Sequence, residues 1–160
     1  MKKLAATSLA GLVLLGIGGC SMDTPSYEAV QSETTQTLER LVSVIPDPKK
    51  VVREPEQPPY QCDDPLLTSR NRGAFYTGHW IIYIADDVDV RALLATLPAR
   101  LGDEWEERNL GIDVSFANLD LLEKDLHVSV SVQEAHIDGR VALEMIAISR
   151  CGTLPATPAP

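Results

Sequence analysis

The feature that most restricts the fold of this chain is a strict alternation of apolar and polar residues in LHVSVSVQ, residues 126–133. Successive side chains of a β-strand point to opposite faces of the sheet, so this alternation predicts a strand with one core face and one polar face. Asp138-Gly139 follows, and this dipeptide is a strong signal for a two-residue hairpin loop. The segment therefore predicts an antiparallel hairpin.

The register of this hairpin follows by counting outward from Asp138-Gly139. The predicted core-face pairs are Val132 with Met145, Val130 with Ala147 and Leu126 with Cys151.

The opposite face of the hairpin pairs Ser131 with Ile146 and Ser129 with Ile148, which places a polar strand beside an apolar one. These four residues form a candidate binding surface, because apolar side chains on such a face need a cover. Either the N-terminal helix or the proline-rich segment folds back over Ile146 and Ile148, or a partner or ligand does.

Three segments before the hairpin complete the predicted domain. Residues 76–85 are β-branched, aromatic and apolar on both faces, which predicts a covered central strand. A helix follows, with acids 86–89 at its start, a kink at Pro98 and a stop at residues 109–111. Its apolar positions are Val90, Leu93, Leu94, Leu97, Leu101 and Trp105. Alternation in residues 112–117, through Ile112, Val114 and Phe116, predicts a second strand.

Upstream of this region, an apolar stripe with a gap at Thr34 predicts an amphipathic helix over residues 26–44, with Pro25 at its start. Five prolines between Pro46 and Pro59 then predict a stiff, extended connector, which excludes a regular helix or a central strand.

We therefore expect an α+β fold: a mainly antiparallel sheet of four strands in the order β-α-β-β-β, covered by the kinked helix, plus the N-terminal helix. The expected divisions are a signal peptide (1–19), an anchor and helix (20–45), a connector (46–61), one α+β domain (62–152) and a flexible tail (153–160).

The N-terminus has the build of a secretory signal, since Lys2 and Lys3 precede sixteen residues without charge. Ile17-Gly18-Gly19-Cys20 resembles the lipobox of bacterial lipoproteins. The resemblance implies that a lipid is attached to the Cys20 thiol and that cleavage leaves Cys20 as the first mature residue. Two or more acyl chains would give durable anchoring. The alternative is an ordinary signal peptide followed by an early cysteine.

With Cys20 assigned to the lipid, Cys62 and Cys151 remain as an even pair in an oxidising compartment, which predicts a disulfide. A free catalytic thiol is the alternative. Removal of residues 1–19 lowers the formal net charge from −9 to about −11. A surface this acidic repels phosphate groups, so we expect no nucleic-acid partner and a membrane contact made by the lipid alone.

The polar residues do not form a catalytic or metal-binding motif. His127 and His136 are an odd number of residues apart on one predicted strand, so their side chains point to opposite faces and cannot share an ion. His79 lies on another predicted strand. The acids at 86–89 fit helix capping better than calcium binding, and those at 103–107 fit a solvated helix face. No nucleophile elbow, phosphate-binding loop or H-E-x-x-H helix is present in the sequence. We therefore predict no catalytic residue, metal site or cofactor.

The layout of the whole chain is similar to that of the small actinobacterial envelope lipoproteins given Lpp-type names. The similarity lies in Cys20, Cys62, Cys151 and the closing Cys-Gly-Thr-Leu-Pro. It implies a location on the extracytoplasmic face of the membrane and little chemistry. The expected function is a lipid-anchored, non-enzymatic binding or interaction module, whose partner is an envelope protein or an apolar ligand. The alternatives are a carrier that holds an apolar ligand between sheet and helix, and a hydrolase of envelope polymers.

Overall fold

A computed structural model of the chain describes residues 24–62, 73–109, 111 and 114–155. The described residues form two helices and nine strands, and all strand pairs are antiparallel. The elements in chain order are α1 (Tyr27–Ser43), β1 (Lys50–Arg53), β2 (Tyr60–Gln61), β3 (Gly73–Phe75), β4 (Thr77–Tyr83), α2 (Val90–Leu101), β5 (Trp105–Glu107), β6 (Asn118–Glu123), β7 (Val128–Ile137), β8 (Arg140–Ile148) and β9 (Gly152–Thr153).

These strands make two sheets rather than one. A six-stranded sheet has the order β1-β4-β8-β7-β6-β5, and a three-stranded sheet has the order β2-β3-β9. The α+β class is confirmed, while the prediction of a single four-stranded sheet in the order β-α-β-β-β is wrong. The difference arises because short strands with little periodicity of their own, such as β1 and β5, extend the large sheet at its edges.

The hairpin of β7 and β8 lies in the middle of the large sheet, and its predicted register is confirmed. Val132 pairs with Met145, Val130 with Ala147 and Ile137 with Arg140. The predicted pair of Leu126 with Cys151 is wrong, since the β7–β8 ladder ends at Ser129 and Ile148. Beyond Ile148 the chain leaves this ladder, and β9 pairs with β3 in the small sheet.

The proline-rich segment takes part in both sheets as edge strands, which the prediction of an extended connector without a helix or central strand did not include. β1 pairs with β4 as an edge strand of the large sheet, and β2 pairs with β3. Both strands lie where the segment has no proline, because proline cannot donate to a ladder and so flanks the strands. β4 itself lies between β1 and β8, which confirms the central strand predicted for residues 76–85, although the helices cover only one of its faces.

Helix α1 is confirmed and packs into the main core. The Ser26 hydroxyl accepts a hydrogen bond from the Ala29 amide at 3.1 Å, so Ser26 rather than Pro25 caps the helix. Thr34, the expected gap in the stripe, is fully buried because its hydroxyl donates to the Val30 carbonyl at 2.7 Å. The buried stripe of α1 therefore continues through Thr34 to Leu38, which packs against Gly78 on β4.

Helix α2 ends earlier than predicted and is followed by strands that the periodicity did not reveal. Gly102 has a φ of 97°, a conformation that ends the helix, and Trp105 then begins β5. The acids near residues 103–107 therefore do not form a helix face. The strand predicted at 112–117 is wrong for its described residues: Val114 and Phe116 are exposed outside any strand, and β6 begins at Asn118.

Both helices lie on the same face of the large sheet. The buried side chains of that face form one cluster with them, including Leu38, Leu41, Leu94, Leu97, Trp80, Ile82, Val130, Val132, Leu143 and Met145. A second, smaller cluster of Tyr27, Val30, Ala74 and Tyr76 joins the start of α1 to the small sheet. The opposite face of the large sheet therefore carries neither helix.

Candidate binding face

We call the side of the six-stranded sheet opposite the helices the open face. Strand alternation places Ser129 and Ser131 of β7 on it, beside Ile148 and Ile146 of β8, and these pairs are those predicted. Ile148 is 45% exposed, whereas Ile146 and the two serines are half-buried. The four predicted residues are thus brought together on one surface.

Neither of the two intramolecular covers expected for this surface is found there in the described part of the chain. Helix α1 buries Leu38 and Leu41 in the cluster on the other face. The proline-rich segment supplies β1, which lies beside β4 within the sheet rather than across it. Because each segment satisfies its apolar side chains or its backbone elsewhere, Ile148 stays accessible.

The open face contains a histidine–carboxylate pair at its centre. His79 on β4 lies opposite Ile146, and its Nε2 is 2.8 Å from Oε1 of Glu144 on β8. The other oxygen of Glu144 accepts a hydrogen bond from the Gln133 amide on β7. Sequence reasoning missed this row, although the hairpin register already placed Gln133 opposite Glu144. The position of His79 depended on the pairing of β4 with β8.

A second hydrogen-bonded row continues from β7 to β6. The Ser131 hydroxyl lies 3.4 Å from Oδ1 of Asn118, and the Asn118 amide donates to Oδ2 of Asp120 at 2.8 Å. Ser131 and Gln133 are two residues apart on β7, so the two rows meet there on the same face. We call the six side chains the polar band: His79, Glu144, Gln133, Ser131, Asn118 and Asp120.

At its β6 end the polar band enters a cavity of about 440 Å³, which we call the band groove. Asn118, Asp120, Ser131 and Gln133 lie along it, and Phe116 is part of its lining. Phe116 is 39% exposed, so its ring is accessible from solvent. The groove thus combines fixed polar groups with an accessible aromatic ring.

A larger cavity, about 670 Å³, lies between α1 and the turn after β6, but its central acid is used internally. Glu123 is only 2% exposed. Its Oε1 is 2.9 Å from the Arg40 guanidinium and its Oε2 accepts a hydrogen bond from the Leu126 amide at 2.7 Å. Since both oxygens are satisfied, we assign Glu123 to holding α1 against the sheet.

The other acids and histidines considered as metal ligands do not form a binding site in the described part of the chain. Asp89 caps α2 by accepting from the Ala92 amide at 3.0 Å, which confirms the capping interpretation for this acid, whereas Asp86 accepts from the Val141 amide at 3.3 Å. His127 lies in a turn with a φ of 53° rather than on β7, where His136 lies, so the two do not share a strand. Within the described ranges, no three His, Cys, Asp or Glu residues are grouped to hold a metal ion.

Cys62 and Cys151 form a disulfide, as predicted, with their Cα atoms 6.2 Å apart. Cys62 directly follows β2 and Cys151 directly precedes β9, so the bond ties together the two outer strands of the small sheet. Cys20 lies outside the described residues, and its lipidation stays a prediction. Neither helix of the described part combines the length and hydrophobicity that a bilayer-spanning segment needs.

Comparison with known proteins adds no relative to this description. No protein-family model, no curated protein and no solved structure matches the chain.

Proposed function

We propose that this protein is an exported, lipid-anchored lipoprotein of the cell envelope, and that it is a non-enzymatic binding module whose binding surface is the open face. The observation that carries the binding role is the polar band across a sheet face that neither helix covers. The polar band holds several hydrogen-bonding groups in fixed positions on an accessible surface. Side chains already fixed before binding lose less entropy when a ligand arrives, which favours recognition.

The composition of the open face also supports a binding role. Half-buried Ile146 and exposed Ile148 lie beside the polar band, so apolar surface and hydrogen-bonding groups are adjacent. Binding surfaces commonly combine an apolar centre with polar groups around it.

The membrane anchor in this proposal rests on Lys2, Lys3 and the motif ending at Cys20. The fold suggests a short tether, because the Pro25 carbonyl already accepts a hydrogen bond from Thr153 of the small sheet at 2.8 Å. The five residue-to-residue steps from Cys20 to Pro25 span at most about 18 Å. The small sheet would then lie at the membrane end of the domain, and the proline-rich segment would not act as a spacer.

The carrier of an apolar ligand fits less well. It requires free volume between helices and sheet, and fully buried side chains from both layers, including Leu38, Leu97 and Leu143, meet there. A hydrolase of envelope polymers would use the same open face as a binding module. The two functions differ in whether the bound polymer is cleaved.

Site-specific photocrosslinking in intact cells tests the proposed surface. A photoreactive residue at Ile148, on the open face, should give a discrete crosslinked product. The matched control at Ala99, exposed on α2 on the opposite side, should not give it. Identical bulk envelope products from both positions would contradict a dedicated binding face.

Mass spectrometry of the mature protein tests the anchor separately. We expect an N-terminal Cys20 carrying acyl chains, and Cys20→Ser should move the protein out of the membrane fraction. An unmodified Cys20 would contradict the anchor without affecting the binding face.

A further inference from the structure

The floor of the band groove offers hydrogen-bonding groups of a particular kind. Asn118 and Gln133 carry amides, each of which can donate and accept, and Asp120 carries a carboxylate. The hydrogen bond from Asn118 to Asp120, at 2.8 Å, holds two of these planar groups in place. Fixed planar groups of this type can bond to neighbouring hydroxyls of one ligand.

The lining of the groove adds an apolar surface beside this floor. Phe116 and Val114 are 39% and 40% exposed although both are large and apolar. A sugar ring presents hydroxyls at its edge and C–H groups on its face, so it can bond to the floor while its face packs on the aromatic ring. A purely polar ligand would leave Phe116 without a contact.

The charge of the groove differs from that of the whole protein. The chain has a formal net charge of −9. In contrast, two arginines, Arg91 and Arg108, accompany two acids, Glu107 and Asp120, among the described residues that line the groove. The local balance suits a neutral ligand, while the acidic remainder of the surface repels a polyanion.

The position of the groove on a sheet face disfavours a peptide ligand added as a strand. The backbones of β6 and β7 are already paired with each other beneath it, as at Asn118 with Gln133 and Asp120 with Ser131. Strand addition needs the unpaired backbone groups of a sheet edge. On the β7 side of β6 the ligand therefore meets side chains, and on the other side the Asp120 carbonyl already accepts a hydrogen bond from the Arg108 amide at 2.8 Å.

From these observations we infer that the band groove binds a segment of a neutral polysaccharide. This inference rests on the proposed binding function and names the class of its ligand. Sugar hydroxyls bond to Asn118, Asp120 and Gln133, and one ring stacks on Phe116. The rest of the polar band, up to His79, extends the path along which the chain of sugars lies.

Calorimetric titration of the lipidated full-length protein in nanodiscs tests the inference. The probes are neutral hexasaccharides of glucose, galactose, mannose, arabinose and N-acetylglucosamine. At least one should bind, and Phe116→Ala and Asn118→Ala should each weaken its binding by about tenfold. Tyr60→Ala is the matched control, since Tyr60 is 68% exposed on β2 and does not line the groove. It should change binding by less than about twofold.

The outcomes separate this inference from the proposed function. Failure of every hexasaccharide to bind, or equal weakening by Phe116→Ala and Tyr60→Ala, would overturn it. A protein or peptide crosslinked at Ile148 without sugar binding would overturn the inference and leave the binding function standing. Cleavage of a hexasaccharide, lost in Phe116→Ala, would support the ligand class and overturn the non-enzymatic role. Unchanged thermal unfolding of each variant confirms that it is folded.

Discussion

Nε2 of His79 and Oε1 of Glu144 lie 2.8 Å apart on the open face, although the two residues are 65 positions apart in the chain. The contact exists because β4 and β8 are neighbours and His79 is diagonal to Glu144 in their ladder. It joins the two strands at the centre of the proposed binding surface.

This pair should matter more for binding than for stability. Both side chains are about one quarter exposed, so water screens their interaction. A double-mutant cycle of His79→Ala and Glu144→Ala, measured by urea unfolding, should give a coupling of about 0.2–1 kcal/mol. A coupling several times larger would show that the pair is there to hold the sheet together.

The ion pair of Arg40 with Glu123 should behave in the opposite way. Removing its cation by Arg40→Met leaves a nearly buried carboxylate without its charged partner, and we expect a loss of about 1–3 kcal/mol. The matched control is Arg53→Met, because Arg53 and Glu39 form an exposed pair at 2.8 Å. The control should cost less than about 1 kcal/mol. Equal losses in urea unfolding would contradict the structural role of Glu123.

The disulfide should contribute strongly to stability because it links residues 89 positions apart. The double variant Cys62→Ser/Cys151→Ser should lose about 2–5 kcal/mol in the free energy of unfolding. Titration of the native, unreduced protein should detect no reactive thiol from these two residues. Two reactive thiols would show that the bond does not form and would reopen cysteine chemistry.

The start of α1 packs closely on Gly152 of β9, so a methyl group there should be destabilising. A Cβ at residue 152 would lie 2.9 Å from the Cα of Tyr27 and 3.0 Å from the Ser26 carbonyl oxygen. Gly152→Ala should therefore cost about 1–3 kcal/mol. Gly78→Ala is the comparison, because its nearest contact is the methyl end of the Leu38 side chain rather than backbone. We expect Gly78→Ala to cost less, and the reverse order of melting temperatures would contradict this packing.

Stability should fall at alkaline pH because of Tyr27. Burial, together with the carboxylate of Glu56, raises the pKa of the Tyr27 phenol above its ordinary value of 10.0. Below pH 10 both states hold the proton and this contribution is fully present. Above it the unfolded state releases the proton first, so the free energy of unfolding falls as pH rises. Tyr27→Phe should reduce this slope, whereas Tyr60→Phe should not, and equal slopes would contradict the burial effect.

The parts of the fold that depend on nearby residues could be predicted from the sequence. The β7–β8 register follows from alternation and from Asp138-Gly139, which act within a few residues of each other. Helix α1 and strand β4 could likewise be predicted from the local pattern of apolar residues, and the cap of α2 at Asp89 from the acids that precede the helix. The disulfide followed from counting cysteines, and the lipid on Cys20 stays a prediction from the motif alone.

Tertiary structure decided the edges of the sheet and the composition of the site. β1 and β5 have too few residues to show a period, and they become strands because β4 and β6 offer them unpaired backbone groups along one edge. The apolar stripe of α1 could be buried on either face of the hairpin by its pattern alone. Its packing beside Trp80 and Ile82 left Ile148 accessible, and the pairing of β4 with β8 placed His79 within reach of Glu144. Such choices depend on which long-range pairs bury the most apolar surface together, and no local segment carries that information.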